Sequence, residues 1–316
     1  MRIVFFGSPA AALPSLEALL AAGHDVALVV TQPDKPAGRG RRLTPSPVKA
    51  LAIEKGVPVI EPARIRTDPG ASQRIRAAQP DVNIVVAYGQ IIPREMHFFP
   101  RHHSLNVHFS LLPKYRGAAP VQWTVLNGDI ESGVTIIELN DRMDEGDILA
   151  QASVAVGPRE PASELETRLA GLGAELLLET LGRIGEIPHI PQDQALATLA
   201  PKIRKEHGLI VWADAAPAID RKVLALADRP GVFTLIKARR VNILRGRALG
   251  AIEALHSEGG PNPGAVVSVG KPGLEVACGA TTSYLIEELQ PEGKGPMTAY
   301  AFSLGTRIVP GDILGI

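Results

Sequence analysis

A chain of 316 residues is long enough for about two domains, and 45% hydrophobic with 21% charged residues excludes a disordered or fibrous protein. Its 33 basic and 33 acidic residues cancel, so net charge alone indicates no polyanionic partner. No apolar run reaches the roughly 18 residues of a membrane helix, and the N-terminus opens on a strand rather than a charged leader, so we expect a cytoplasmic protein. The single cysteine, Cys278, excludes an internal disulfide and a multi-cysteine metal site.

The first half of the chain alternates strands and helices, which predicts a Rossmann-like α/β domain with a mostly parallel sheet. Apolar runs bounded by turn residues predict the strands, and leucines at helical spacing predict the helices. Gly7 follows the first strand without the other glycines of a dinucleotide fingerprint, so a nicotinamide cofactor is set aside. The predicted strands are 2–7, 26–30, 57–60, 82–86, 104–109, 134–139 and 148–154, and the predicted helices are 10–22, 48–55, 71–78, 118–126 and 161–184.

Basic residues are concentrated in a short segment between Asp34 and Lys49. Gly38 and Gly40 favour a flexible loop, whose arginines would be free to bind phosphates. A solvated surface is the alternative, because most charge runs have no partner. We favour binding to an anionic polymer such as RNA, with the candidate contacts Lys35, Arg39, Arg41 and Arg42.

Polar side chains interrupt the predicted strand at 104–109. Strand alternation puts Asn106 and His108 on one face, where an amide and an imidazole need partners or a function. Pro113 ends the strand, and residues 117–120 lead into a helix N-terminus with free backbone N–H groups. Open α/β sheets bind ligands at strand ends of this kind.

A second polar loop, 140–147, contains four carboxylates and follows the next predicted strand. Asp144 is the candidate that would approach His108 and fix the orientation of its ring. A purely structural role for both residues is the alternative. A single histidine in a strand is more often a core residue, and an Asp-Gly loop is more often a simple turn. The combination of amide, imidazole and carboxylate is what favours a catalytic site.

The composition changes after residue 187. A proline- and alanine-containing connector at 188–207 predicts an interdomain linker between a first domain, 1–187, and a second domain, 208–316. The second domain has one predicted helix, at 215–227, and a surplus of basic residues between Arg221 and Arg247. Short apolar segments punctuated by glycines predict a small β-barrel, which pattern alone does not separate from a sandwich. These segments are 232–237, 241–244, 265–269, 274–278 and 284–289.

Motifs along nearly the whole chain resemble those of the folate-dependent formyltransferases, especially the members that act on methionyl-tRNA. Long motifs in a fixed order are far more specific than a lone glycine fingerprint. The motifs around the candidate site are Asn106-Val-His108, Ser110-Leu-Leu-Pro113, Arg116-Gly-Ala-Ala-Pro120 and Asp144-Glu-Gly-Asp147. The other motifs are 31–40, 45–49, 86–89, 289–294 and 296–297.

The resemblance implies an enzyme of translation initiation. It implies transfer of a formyl group from 10-formyltetrahydrofolate to the α-amine of methionine on initiator tRNA, and an oligonucleotide-binding-like C-terminal barrel that supports the tRNA. Asn106 would donate to the developing oxyanion, and His108, oriented by Asp144, would stabilise the same oxygen or relay a proton. No metal, covalent intermediate or membrane is required, and we expect a monomer.

The resemblance also assigns the folate site. The turn at 110–113 and the segment at 86–89 would bind the pterin, the latter through backbone groups together with the 141–144 loop. The candidate contacts are Ser110, Leu111, Leu112, Pro113, Val86, Tyr88 and Gly89. Arg116 would either meet an anion or cap the loop.

Phe109 departs from the small residue that the family usually has at this position. Alternation predicts that its ring points away from His108. Two other functions are considered: a formyltransferase acting on an amino-sugar nucleotide or another small amine, and a non-catalytic RNA-binding protein on the same scaffold. A formyltransferase acting on small amines would not need the basic 34–49 segment. A non-catalytic RNA-binding protein would not need Asn106, His108 and Asp144 together.

Overall fold

The computed structural model describes residues 1–37, 42–251 and 261–315, without the side chains of residues 37, 42 and 251. The chain divides into two compact units. The first contains Met1–Val121, Ile130–Val156 and Glu164–Pro201, and the second contains Gln122–Asp129, Gly157–Ser163 and Lys202–Ile316. The first unit thus continues to Pro201, past residue 187, which is the predicted end of the first domain.

Strands and helices alternate through the first unit, and strands dominate the second. The strands are β1 (Arg2–Gly7), β2 (Asp25–Val30), β3 (Lys35–Ala37), β4 (Arg42–Thr44), β5 (Val59–Ile60), β6 (Val82–Val86), β7 (Ser104–His108), β8 (Arg116–Gly117), β9 (Glu131–Glu138), β10 (Ile148–Ala155), β11 (Leu199–Ala200), β12 (Val232–Ile236), β13 (Arg239–Ala251), β14 (Val266–Gly270), β15 (Gly273–Ala277), β16 (Thr282–Pro291) and β17 (Met297–Thr298). The helices are α1 (Leu13–Ala21), α2 (Pro47–Glu54), α3 (Pro69–Ala77), α4 (Arg94–His97), α5 (Pro120–Asn127), α6 (Ala162–Gly182), α7 (Ala216–Leu226) and α8 (Ala299–Thr306).

The first unit is built on a seven-stranded sheet with the strand order β10-β9-β7-β6-β1-β2-β5. Strands β5, β2, β1, β6 and β7 pair in parallel, whereas β9 is antiparallel to β7 and β10 is antiparallel to β9. All five residues of β6 and of β7 are buried, as the central position of these strands requires, although β7 carries the polar residues Ser104, Asn106 and His108. The predicted α/β class with a mostly parallel first sheet is confirmed.

The second unit contains an antiparallel sheet with the order β12-β13-β16-β15-β14, and β17 pairs with β16. Residues near the C-terminus lie along both edge strands, because Leu314 bridges to Ile236 at the end of β12 and Ile313 bridges to Ala265 beside β14. This C-terminal segment links the two edges of the sheet, and therefore closes it in the way that the predicted barrel requires. No helix among the described residues has the length and apolar character needed to cross a membrane.

Candidate active site

Asn106 and His108 lie side by side on one face of β7, between β6 and β9. Asn106 pairs in register with Val85 of β6 and His108 with Thr135 of β9, and only 8% of Asn106 and 6% of His108 remain exposed. The alternate residues face α6, where a Cβ atom built on Gly173 would lie 2.8 Å from Val107 and 3.5 Å from Phe109. The ring of Phe109 therefore points to the face opposite His108, as alternation predicts, and leaves the candidate site uncrowded.

Asp144 converges on both of these side chains from the loop between β9 and β10. Its Oδ1 atom lies 3.5 Å from Nδ2 of Asn106, and its Oδ2 atom lies 3.8 Å from Nδ1 of His108. The other ring nitrogen of His108, Nε2, lies 3.0 Å from the carbonyl oxygen of Tyr115. Nε2 is thus within hydrogen-bond distance of an acceptor, whereas the separation of Nδ1 from Asp144 is longer than a hydrogen bond.

The carboxylate of Asp144 is held by the chain itself. The backbone N–H of Gly117 donates to Oδ2 over 2.8 Å, and Asp144 adopts a left-handed backbone conformation with a φ of 54°. Gly117 has a φ of 131°, and a Cβ atom there would lie 2.5 Å from the carbonyl oxygen of Ala200. Only glycine fits this approach of β8 to β11, so the close pairing of the two strands depends on that residue.

A buried pair, Arg116 and Gln192, supports the loop between β9 and β10 that carries Asp144. The Arg116 guanidinium donates to Oε1 of Gln192 over 3.0 and 2.7 Å, and Nε2 of Gln192 donates to the carbonyl oxygens of Asp144 and Gly146 over 2.8 and 2.7 Å. Of the two roles considered for Arg116, the structure supports loop bracing. Sequence reasoning missed Gln192, because a polar residue in a proline-containing connector gives no periodic signal.

The predicted folate turn, 110–113, is fixed by hydrogen bonds to the neighbouring strands. Thr135 of β9 donates its hydroxyl to the Ser110 carbonyl over 2.6 Å and accepts from the N–H of Leu112 over 3.0 Å. The amide of Gln151 donates to the Leu112 carbonyl over 2.8 Å, and the bond from Leu112 to Pro113 is cis. Leu112 is buried, and the turn therefore has one defined shape beside His108.

The predicted folate contacts in the segment at 86–89 differ in how exposed their side chains are. Val86 is buried at the end of β6, and the ring of Tyr88 packs in the core against Phe6, with ring centroids 5.6 Å apart. Burial raises the pKa of the Tyr88 phenol above its usual value. The Tyr88 carbonyl accepts a hydrogen bond from the Gln32 side chain over 2.7 Å, and Gly89 follows with a φ of 77°. The ring of Tyr88 is thus held in the core, away from the surface of this segment.

Two of the candidate RNA-binding residues, Lys35 and Arg42, lie in the paired short strands β3 and β4. β3 and β4 pair antiparallel, so the predicted flexible loop contains regular structure at both ends. Lys35 is exposed, and its ammonium donates to Oε1 of Gln32 over 2.5 Å. Arg39 and Arg41 lie outside the described residues, and the backbone of Arg42 belongs to β4.

Lys49, at the end of the same basic segment, is neutralised locally. Its ammonium lies 2.8 Å from a carboxylate oxygen of Asp34 and 2.8 Å from one of Glu61. Hydrogen bonds to Asp34 and then to Glu61 raise the pKa of Lys49 above its usual value. This lysine is held in an ion-pair network rather than presented to an anionic partner.

Comparisons with known proteins give one family. The formyl transferase model matches residues 1–181, and the model of the formyl transferase C-terminal domain matches residues 202–307. The chain is 42% identical to a methionyl-tRNA formyltransferase of Citrifermentans bemidjiense over all of this chain and 96% of that protein.

Solved structures share the fold at low sequence identity. An N-formyltransferase from Helicobacter canadensis, solved with folinic acid and dTDP-3-aminofucose, is 17% identical with a TM-score of 0.66 over 92% of this chain and 99% of that one. HypX from Aquifex aeolicus, solved with tetrahydrofolic acid, is 17% identical with a TM-score of 0.65 over 96% of this chain and 47% of that one.

Proposed function

The chain belongs to the formyl transferase family, and from that premise we propose that it transfers the formyl group of 10-formyltetrahydrofolate to the α-amine of methionine on initiator tRNA. Its similarity to methionyl-tRNA formyltransferases extends over the full length of the chain, including the C-terminal unit. The observation that carries the proposed chemistry is the meeting of Asn106, His108 and Asp144 beside the turn at 110–113.

The reaction sets three requirements. The attacking amine must be neutral, the formyl oxygen needs hydrogen-bond donors as it gains negative charge, and the departing folate nitrogen must gain the proton that the amine loses. A bond forms between the methionine nitrogen and the formyl carbon, and the bond from that carbon to the folate nitrogen breaks. No electrons are exchanged with a further reactant.

Asn106 and His108 supply the donors in this scheme. The amide nitrogen of Asn106 has two N–H bonds, so one can face Asp144 while the other faces the formyl oxygen. His108 lies two residues along the same strand face, where a protonated ring would stabilise the same oxygen through its charge. Passing a proton to the leaving nitrogen would require the ring to turn away from the Tyr115 carbonyl that Nε2 faces. Both residues are buried, and hydrogen bonds in a dry site stabilise developing charge more strongly than in water.

Asp144 orients the histidine without leaving its own charge unsupported. The N–H of Gly117 donates to the same oxygen atom that faces Nδ1 of His108. The carboxylate therefore keeps one position, and the ring that it faces keeps one orientation.

The remaining partner assignments follow from the same proposal. The folate would bind along the 110–113 turn and the backbone of 86–89, and Lys35, Arg39, Arg41 and Arg42 would contact tRNA phosphates. The enzyme would work as a monomer in the cytoplasm, where translation is initiated.

Formylation of purified methionyl-tRNA with 10-formyltetrahydrofolate tests the proposal. Free methionine and amino-sugar nucleotides serve as alternative acceptors, and Asn106→Ala serves as the site variant. We expect activity on methionyl-tRNA only, with turnover of Asn106→Ala reduced roughly 10²- to 10³-fold. Activity on the small amines without activity on tRNA would overturn the substrate assignment, and full activity of Asn106→Ala would overturn the mechanism.

A further inference from the structure

A buried glutamine outside the three candidate catalytic residues controls the backbone of Asp144. Gln192 is 7% exposed, and its side chain makes four hydrogen bonds, two as donor and two as acceptor. These four bonds use the whole hydrogen-bonding capacity of a primary amide. Gln192 therefore has no group left for a substrate, and its effect is confined to the residues that it holds.

The two donor bonds lie on either side of Glu145. One reaches the carbonyl oxygen of Asp144 and the other that of Gly146, so a single side chain fixes both ends of this short stretch of backbone. Asp144 adopts a left-handed φ of 54°, a conformation that is uncommon outside glycine and that Asp adopts more readily than most other residues. The carbonyl bond from Gln192 is one of the restraints on that conformation.

Arg116 supports Gln192 from the opposite side. Its guanidinium is 5% exposed, with the Nη1 atom 2.8 Å from Oε1 of Gln194 and 3.6 Å from a carboxylate oxygen of Glu145. Arg116 directly precedes Gly117, whose N–H binds the Asp144 carboxylate. Arg116 and Gly117 thus hold Asp144 by two routes, one through its carboxylate and one through Gln192 and its carbonyl.

The connector that carries Gln192 is itself attached to the first unit. Leu199 and Ala200 of β11 pair with Arg116 and Gly117 of β8, and Ile190 bridges to Ile148 at the start of β10. Gln192 lies between these two attachments, so the backbone that carries its side chain is held in place on both sides. Residues 188–201 of the segment predicted as a linker thus belong to the first unit and support the candidate site through Gln192.

We propose that Gln192, braced by Arg116, is a positioning residue that sets the distance between the Asp144 carboxylate and the His108 ring. This inference rests on the proposed formyl transfer and deepens it. At 3.8 Å, the separation of the two groups is wider than a charge-assisted hydrogen bond, so a small shift of the loop decides whether they interact. The position of the Asp144 backbone is what Gln192 fixes.

Two variants remove the donors in different ways. Gln192→Leu keeps the bulk and loses all four hydrogen bonds, whereas Gln192→Glu keeps an acceptor for Arg116 but cannot donate to the two carbonyls. In the full-length enzyme, we expect kcat for methionyl-tRNA formylation to fall roughly 10- to 100-fold in both variants, the scale expected when a catalytic group is misplaced by about 1 Å. The KM for methionyl-tRNA should stay within about twofold, because Gln192 touches no substrate.

A double-mutant cycle separates positioning from general weakening of the fold. In an Asp144→Ala background there is no carboxylate to place, so adding Gln192→Leu should change the single-turnover rate by less than about threefold. Gln73→Leu is the matched control, because Gln73 is exposed on α3 and belongs to neither the Asp144 loop nor the connector that carries Gln192. We expect its kcat to stay within about twofold of wild type.

Each outcome decides one of the two proposals. A folded wild-type enzyme that does not formylate methionyl-tRNA overturns the proposed function. An active wild type together with unchanged kcat in Gln192→Leu and Gln192→Glu overturns the positioning role. The positioning role is also overturned if Gln192→Leu costs an equal factor with and without Asp144, or if it alters KM alone.

Discussion

Replacing Asp144 with asparagine removes the charge of the candidate site and keeps its shape. The amide oxygen can still accept from the N–H of Gly117, but no carboxylate then faces His108 across 3.8 Å. For a ring that carries a full positive charge in the transition state, opposite unit charges about 4 Å apart attract by at most roughly 4 kcal/mol at an effective dielectric constant of about 20. Because 13% of the Asp144 side chain is exposed, water screens part of this attraction. We therefore expect kcat/KM to fall roughly 10²- to 10³-fold, at about 1.4 kcal/mol per factor of ten.

Initial rates of methionyl-tRNA formylation measure this effect, and thermal unfolding shows whether the variant is folded. Asp141→Asn is the control in the same loop, since the Asp141 side chain is 52% exposed and pairs with Arg94 at the surface. Surface pairs of that kind contribute about 0–1 kcal/mol to stability, so its activity should stay within about twofold of wild type. Retention of kcat/KM within about tenfold in folded Asp144→Asn would refute the electrostatic argument.

Three other changes have distinct readouts. Gly117→Ala places a Cβ atom 2.5 Å from the Ala200 carbonyl at a φ of 131°, so we expect a lower Tm together with lower kcat, and a wild-type Tm would contradict the close approach. Phe109→Ala empties a packed site beside Gly173 on the face opposite His108, so urea unfolding should show a loss of about 3–5 kcal/mol while the folded enzyme keeps its KM values. Burial lowers the pKa of His97, so the unfolded chain gains a proton before the folded state does. The Tm of the wild type should then fall as the pH drops below about 6.5, and His97→Phe should fall less steeply; equal slopes would exclude His97 as the cause.

The sequence pattern predicts the parts of the site that lie on one strand. Alternation alone places Asn106 with His108 and turns Phe109 to the other face, because the side-chain period of a strand does not depend on the rest of the fold. Alternation does not determine whether a strand runs parallel or antiparallel to its neighbours. An apolar run reads alike in either direction, and β9 and β10 prove to be antiparallel additions to the parallel sheet.

The approach of Asp144 depends on tertiary structure that no local pattern encodes. Its loop conformation is set by the N–H of Gly117 and the side chain of Gln192, which are 27 and 48 residues away along the chain. Strands of two residues such as β8 and β11 give no periodic signal, so the connector that contains Gln192 has the sequence character of a polar linker. The three-residue strands β3 and β4 are hidden in the basic segment for the same reason.

In the proposed mechanism, Asn106, His108 and Asp144 act as one catalytic unit. The most direct test compares kcat/KM for methionyl-tRNA in the three single alanine variants with that of the variant carrying all three substitutions. A shared mechanism predicts that the triple variant is about as slow as the slowest single variant, because each loss already disables the unit. Losses that multiply across the three positions, or a triple variant near wild-type activity, would contradict it.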